Sequence, residues 1–217
     1  MKKKLIIIGC GQQAQILASE IIEIGKLKLI GFLDFKENKK KIIIKNQKIT
    51  VYKNLYKLKD IHLIIAVGDN YLRQKLKKNI ENKYKIKRWY TFISPESKIA
   101  KTTKIGQGSI IMKGAIINHN SNIGEHCLIN TGSIIEHDNV IEEFASIAPG
   151  AVTNGNVKIG KKTHLGSSSV VLNNIRIEND VVVGIGSVVT KDCKKCNVYF
   201  GNPSKLIRKR GKNEKYM

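Results

Sequence analysis

From Ile99 to Val189 every sixth position of the chain carries a branched aliphatic residue, with Thr153 the single exception. Neither the period of about 3.6 of a helix nor the period of about 2 of a plain strand generates such spacing. A short fixed repeat marks a solenoid, whose units bury their apolar faces only by stacking on one another. Four places after each aliphatic the residue is mostly small or β-branched, as at Thr103, Ser109, Ala115, Ser121, Cys127, Ser133, Ala145 and Ala151. Glycine often follows the aliphatic directly, at Gly106, Gly124, Gly160, Gly166 and Gly184, where the reading places corners that need permissive dihedrals. Three hexads make one triangular coil, so residues eighteen apart lie one above another.

Ahead of the hexads the pattern is different. Leu5–Ile8 reads as a strand, Gln12–Ile24 as an amphipathic helix and Leu29–Leu33 as a second strand ending at Asp34. His62–Val67 reads as another strand, 71–84 as a helix and Lys87–Phe92 as a further strand, while the polar run Lys36 to Lys41 reads as a solvated loop. Strands alternating with helices predict parallel pairing with crossovers, a short Rossmann-like βαβ sheet. Pro95 marks the boundary. The expected organisation is a domain over 1–93, a parallel β-helix over 94–192 and a tail over 193–217.

The 217 residues allow two such domains. No apolar run reaches the roughly 18 residues of a membrane span, and the short apolar run Leu5–Ile8 behind the basic start ends in a glycine turn, not in a cleavage site. No membrane partner is expected. Of the four cysteines only Cys193 and Cys196 have ligand spacing, short of the four ligands of a structural zinc site, which fits free thiols in a reducing cytoplasm. A net charge of +22 invites a nucleic-acid reading, but the lysines neither interleave with aromatics nor sit in a DNA-binding motif. The basic surface suits phosphorylated small molecules instead.

The hexads, the alternating first block and the tail motif Gly201-Asn-Pro-Ser-Lys205 together resemble a known family. It is the hexapeptide-repeat sugar acyltransferases, of the sialic-acid O-acetyltransferase and bacillosamine-pathway nucleotide-sugar N-acetyltransferase type. The resemblance implies a left-handed β-helix, acetyl-CoA as co-substrate without a metal, and a homotrimer with active sites between subunits. It also implies a nucleotide-linked amino-deoxysugar as acceptor.

Within the segment Asn130 to Asp138, His137 matches the family's general base and Asp138 the acidic residue that orients it. The chemistry demands such a pair: an amine is mostly ammonium at neutral pH, and imidazole can take its proton. Neighbours on a strand face opposite sides, so Asp138 reaches His137 only if the backbone turns between them. His119, one coil earlier, reads as a stacked surface residue, and His126 and His164 as structural. Ser146 stands where the family has a histidine near the thioester, and Ser167 and Ile185, eighteen apart, match its CoA contacts; Lys205 and Arg208 are candidate phosphate partners. In the first block Gly9-Cys-Gly11-Gln12-Gln13-Ala14 reads as GxGxxA between a strand and a helix, which lets backbone amides approach phosphate. The resemblance turns this loop to the activated sugar, with Gln13 in place of a histidine, Asp34 and Phe35 in place of an acidic pair, and Gly68-Asp69-Asn70 as second loop. Three alternatives stay open: transfer to a hydroxyl, a non-catalytic scaffold or carbonic-anhydrase-like metal protein using His119, His126 and His137, and nucleic-acid binding.

Overall fold

The computed structural model describes residues 2–38, 40–56, 58–211 and 214–215. The chain divides into two compact units, Met1–Gly68 with Leu72–Tyr90, and Asp69–Tyr71 with Thr91–Met217.

The first unit is built on strands β1 (Lys4–Ile8), β2 (Lys28–Leu33), β3 (Lys41–Ile44), β4 (Gln47–Tyr52) and β5 (Ile61–Ile65), with helices α1 (Gln12–Ile24) and α2 (Asn70–Tyr84). The sheet order is β3-β4-β2-β1-β5, and β1 pairs in parallel with both β2 and β5. Leu5 to Ile8 are at most 1% exposed, as a continuous aliphatic run on a central parallel strand requires. Helix α1 buries Ala14, Leu17, Ala18 and Ile21, the stripe its sequence predicts. It ends at Gly25 in the left-handed conformation, whose N–H donates to the Ile21 carbonyl at 3.1 Å.

Two features correct the sequence reading. First, β3 and β4 form an antiparallel hairpin whose turn residues Lys45 and Asn46 both have positive φ. Ile42, Ile44, Ile49 and Val51 alternate inward, but the outward Ile43 breaks the apolar–polar alternation and the surrounding lysines make the stretch look like a basic loop. Second, Lys87–Phe92 is no strand. Trp89 makes one parallel bridge to Leu63, whereas Phe92–Ile93 pairs with Ile110–Ile111 and opens a wall of the β-helix.

The second unit is a parallel β-helix of two-residue strands stacked into three walls. In each pair the hexad aliphatic points inward: Ile117, Ile123, Ile129, Ile135, Ile147 and Leu165 are all 0% exposed. The small residues fill the corners and satisfy the backbone. The hydroxyls of Ser109, Ser121 and Thr163 donate to carbonyls fifteen residues on, at 2.7–2.8 Å, and accept the N–H eighteen residues on. Beyond the hexads, Asn197–Phe200 and Lys205–Lys209 add two strands to the eight-stranded wall.

The corners differ from expectation. Left-handed backbone recurs at every sixth position from Gly108 to Gly186, three places after the aliphatic, and the residues there include Asn120, His126, Asp138 and Phe144 as well as glycines. The glycines that directly follow the aliphatic serve close approach instead. A Cβ on Gly124 would meet the backbone of Glu142 and Glu143 at 2.7–2.9 Å. Gly124→Ala should therefore destabilise the protein by about 1–3 kcal/mol through overpacking, measured by chemical denaturation; an unchanged midpoint would show that the coils spread freely.

Candidate active site

His137 is the second residue of a corner, and Asp138, the third, has φ 59°. That left-handed residue is the turn the pair needs, and it brings the carboxylate back alongside the ring. His137 Nδ1 and Asp138 Oδ2 lie 2.8 Å apart. The hydrogen bond from His137, and then one from Asn120, hold the Asp138 carboxyl below its usual range. An ionised carboxylate only accepts, so Nδ1 carries the proton and Nε2 is left as the basic nitrogen.

The ring is held on both faces. His119, one coil earlier, stacks on it with centroids 5.4 Å apart and planes 12° apart. On the other side lies Gly155, one coil later, where a Cβ would meet Nε2 and Cε1 of His137 at 2.5–2.6 Å. Sequence reasoning missed Gly155, although reading the eighteen-residue column onward from His119 and His137 reaches it. The ring edge remains about half exposed.

Among the described residues, ligand atoms of His119, His137 and Asp138 lie within 4.8 Å of one another. An imidazole lone pair lies in its ring plane, so two parallel rings direct theirs side by side and not to one point, which suits proton handling better than tetrahedral metal binding. His126 is elsewhere: fully buried, it stacks on Phe144 at 5.3 Å.

Ser146 and Asn70 are brought together away from solvent. Ser146 is 2% and Asn70 0% exposed, and the Ser146 hydroxyl donates to Asn70 Oδ1 at 2.6 Å. The Asn70 amide donates to the carbonyls of Lys162 and Thr163 at 3.0 and 3.1 Å. Ser167 and the exposed Ile185 stand one coil apart, with the Gly186 N–H on the Ser167 carbonyl at 2.9 Å. Their column runs along the opposite edge of the wall that ends at His137, so one chain does not bring them to the base. Arg208 is engaged by Glu214, and Cys193 faces the core, where burial pushes its thiol up to about 12.

In the first unit Gly11 caps α1 with extended backbone, exposed and with nothing near a notional Cβ, while Gln12 and Gln13 form the first turn. Asp34 lies below that loop. Its Oδ1 accepts the N–H groups of Lys36 and Glu37, and its Oδ2 the Cys10 thiol at 3.1 Å. Partial burial opposes ionisation, but these donors outweigh it and hold the carboxyl low. The same burial and the Asp34 carboxylate push the Cys10 thiol up to about 12, which makes it a donor and not a nucleophile. Phe35 is 45% exposed beside Lys83. In the second loop Gly68 accepts from buried Arg73 at 3.0 Å, and Asp69 follows.

Residues 4–80 match the PglD N-terminal domain family. The structure superposes on the acetyltransferase domain of PglB from Neisseria gonorrhoeae, solved alone and with acetyl coenzyme A: TM-score 0.86, 25% identity, 95% of this chain and all of that one. PerB from Caulobacter crescentus, in complex with CoA and GDP-perosamine, matches at TM-score 0.83 and 25% identity over 94% of this chain and 97% of its own. The chain resembles the hexapeptide-repeat sugar acyltransferases. Its fold is a Rossmann-like domain followed by a left-handed β-helix. WeeI from Acinetobacter baumannii, 23% identical, shares that fold over 94% of the chain at TM-score 0.83. Compared by sequence alone, no curated protein matches. Among the described residues no helix of this acyltransferase is long and apolar enough to cross a membrane.

The lowered carboxyl sets a pH dependence. A carboxylate whose folded value is depressed stabilises fully above its ordinary range near 4, and loses that contribution as pH falls through the lower folded value. The Asp138 carboxyl, followed by carbon NMR, should therefore remain ionised through the usual aspartate titration and protonate only below it. Protonation at the ordinary value would mean that the contact with His137 is not maintained.

Proposed function

We propose that the chain transfers an acetyl group from acetyl-CoA to the amine of a nucleotide-linked 4-amino-4,6-dideoxy sugar. The observation that carries this reading is the half-exposed His137, with Nδ1 tied to an ionised Asp138 and Nε2 left as the basic nitrogen. The relatives support it: PerB was solved with CoA and GDP-perosamine, and the PglB domain with acetyl coenzyme A. In the proposed reaction Nε2 takes a proton from the acceptor ammonium, and the freed nitrogen attacks the thioester carbonyl. A C–N bond forms, the oxyanion rests on backbone N–H donors, and the C–S bond breaks. The leaving thiolate takes that proton from the imidazolium, and the second proton of the attacking nitrogen is released to solvent as the amide forms, so base and acid are the same residue.

Nucleotide-sugar binding falls to the first unit, through the amides of Gly11, Gln12 and Gly68, the neighbouring Gln13 and Phe35, and Asp34 as acceptor for sugar hydroxyl or amine. CoA runs along the column of Ser167 and Ile185. A hydroxyl acceptor would use the same base, and NMR of the product separates the two acceptors.

The proposed assembly is a homotrimer whose sites lie between subunits. Outward positions of one wall, Ile116, Ile134, Val152, Val170 and Val188, form an aliphatic ladder that pairs strand by strand and is only half-buried in the single chain. This wall is bordered on one edge by His137 and on the other by Ser167 and Ile185. Packing copies along it would bring the base edge of one subunit to the CoA edge of the next. Exposed apolar surface of this extent marks an association site.

Purified protein given acetyl-CoA and nucleotide-linked 4-amino sugars should yield the N-acetyl product, identified by mass spectrometry and NMR. His137→Ala should lower kcat by about 10²–10⁴-fold, the usual value of a general base, and leave CoA affinity by calorimetry unchanged. A variant keeping more than a tenth of the rate would remove His137 from that role. Val152→Glu should dissociate the trimer in light scattering and abolish turnover; an active monomer would refute the shared site.

A further inference from the structure

We infer that Asn139 is a positioning residue for the His137 base, an assignment that rests on the acetyl-transfer reading above. At the place four after the aliphatic, the neighbouring coils carry Ser121, Cys127, Ser133 and Ala145, all small. Asn139 is larger, polar and 0% exposed. Its side-chain amide lies 2.7 Å from the carbonyl of Glu136, 3.1 Å from that of His137 and 2.8 Å from that of Asn154. Three carbonyls around one atom identify it as the nitrogen. The first two contacts clamp the backbone on either side of the His137 Cα, and the third ties the residue directly before Gly155, on which the ring rests. The backbone N–H of Asn139 donates to Ser121 Oγ at 3.2 Å, which closes the clamp onto the preceding coil.

The clamp does more than the ordinary corner residue. Ser109, Ser121 and Thr163 donate to the carbonyl fifteen residues on, and Asn139 reproduces that bond with Asn154. Ser133 instead donates three places back, to the Asn130 carbonyl at 2.8 Å; Asn139 makes both kinds of bond at once and adds the one to His137. They are made at a cost, because Asn139 Oδ1 is buried and accepts from no described group. The only break in the inward aliphatic series, Thr153, pairs directly with Ile135 one coil away and likewise buries an oxygen without a described partner. Both departures from the coil's packing rule thus flank the strand that leads to His137.

Asn139→Ser takes the clamp apart, since a serine hydroxyl has one proton and makes either the coil-to-coil bond, as Ser109 and Ser121 do, or the bond three places back, as Ser133 does, and never all three. The expected result is an intact trimer with unchanged KM for both substrates and kcat reduced about tenfold or more, as displacements of about 1 Å can cost ~10²-fold. Ser109→Ala, which removes the ordinary corner bonds in another coil, should lower Tm and leave kcat alone. Nitrogen NMR of histidine-labelled protein provides a readout that needs no substrate. Wild type should show His137 protonated at Nδ1, and the Asn139→Ser variant a mixture of tautomers. An unchanged tautomer with kcat within twofold of wild type would overturn the assignment, as would an equal loss of kcat in Ser109→Ala. If wild type acetylates no amino sugar, the functional reading fails, and the tautomer comparison still decides whether Asn139 positions the ring.

Discussion

Everything in the second unit depends on one geometric constraint: residues eighteen apart must superpose. Parallel strands of two residues hold too little surface to be stable alone, so each coil is fixed by the coils above and below it. The inward aliphatics meet that demand with branched side chains of few rotamers, and the corners meet it with a left-handed residue at every sixth position. A side chain at a corner therefore packs almost wholly within its own column. For His137 that column supplies a ring on one face and a bare glycine on the other. The imidazole is oriented by the repeat itself, before any substrate contributes.

The corner also explains how the side chains of adjacent residues come into contact. On a regular strand the side chains of His137 and Asp138 would face opposite ways. A left-handed Asp138 reverses the chain within one residue, and aspartate is among the side chains that tolerate this conformation. Its shortness, one carbon less than glutamate, matches the tight turn: the contact is made at 2.8 Å. Asn120, the equivalent residue one coil earlier, adds a second hydrogen bond, so the carboxylate is supported along the same column.

Much of this was legible in the residues. The hexad register gives the walls, their inward ladders and the His119–His137 stack directly, because a period of eighteen converts sequence separation into adjacency. What escaped reading lacks such a period. The hairpin of β3 and β4 is masked because the outward Ile43 breaks the alternation and the surrounding lysines imitate a solvated loop. The bond between Ser146 and Asn70 joins residues 76 apart with no repeat to relate them. The glycines after each aliphatic were read for their dihedrals, whereas their backbones are ordinary and it is the coil spacing that forbids a side chain. Cys10 looked incidental because its role as donor to Asp34 depends on a turn and a strand end meeting in space.

Exceptions to a strict repeat are more informative than the repeat. A sequence that obeys its packing rule through many coils does so because each violation costs stability, and violations persist where something else requires them. Thr153 and Asn139 bury oxygens with no described partner, an expense of the order of 1–3 kcal/mol each. Both lie on the coils that hold His137 and Gly155. A wholly aliphatic and small-residue interior would be the more stable solid, but it would offer the His137 corner at most the single side-chain bond that Ser109, Ser121 or Thr163 makes at its own corner. The amide of Asn139 reaches carbonyls on three sides of one α-carbon's neighbourhood, which no serine, alanine or cysteine can do. At His137 that polarity fixes the backbone on both sides of the α-carbon that carries the ring.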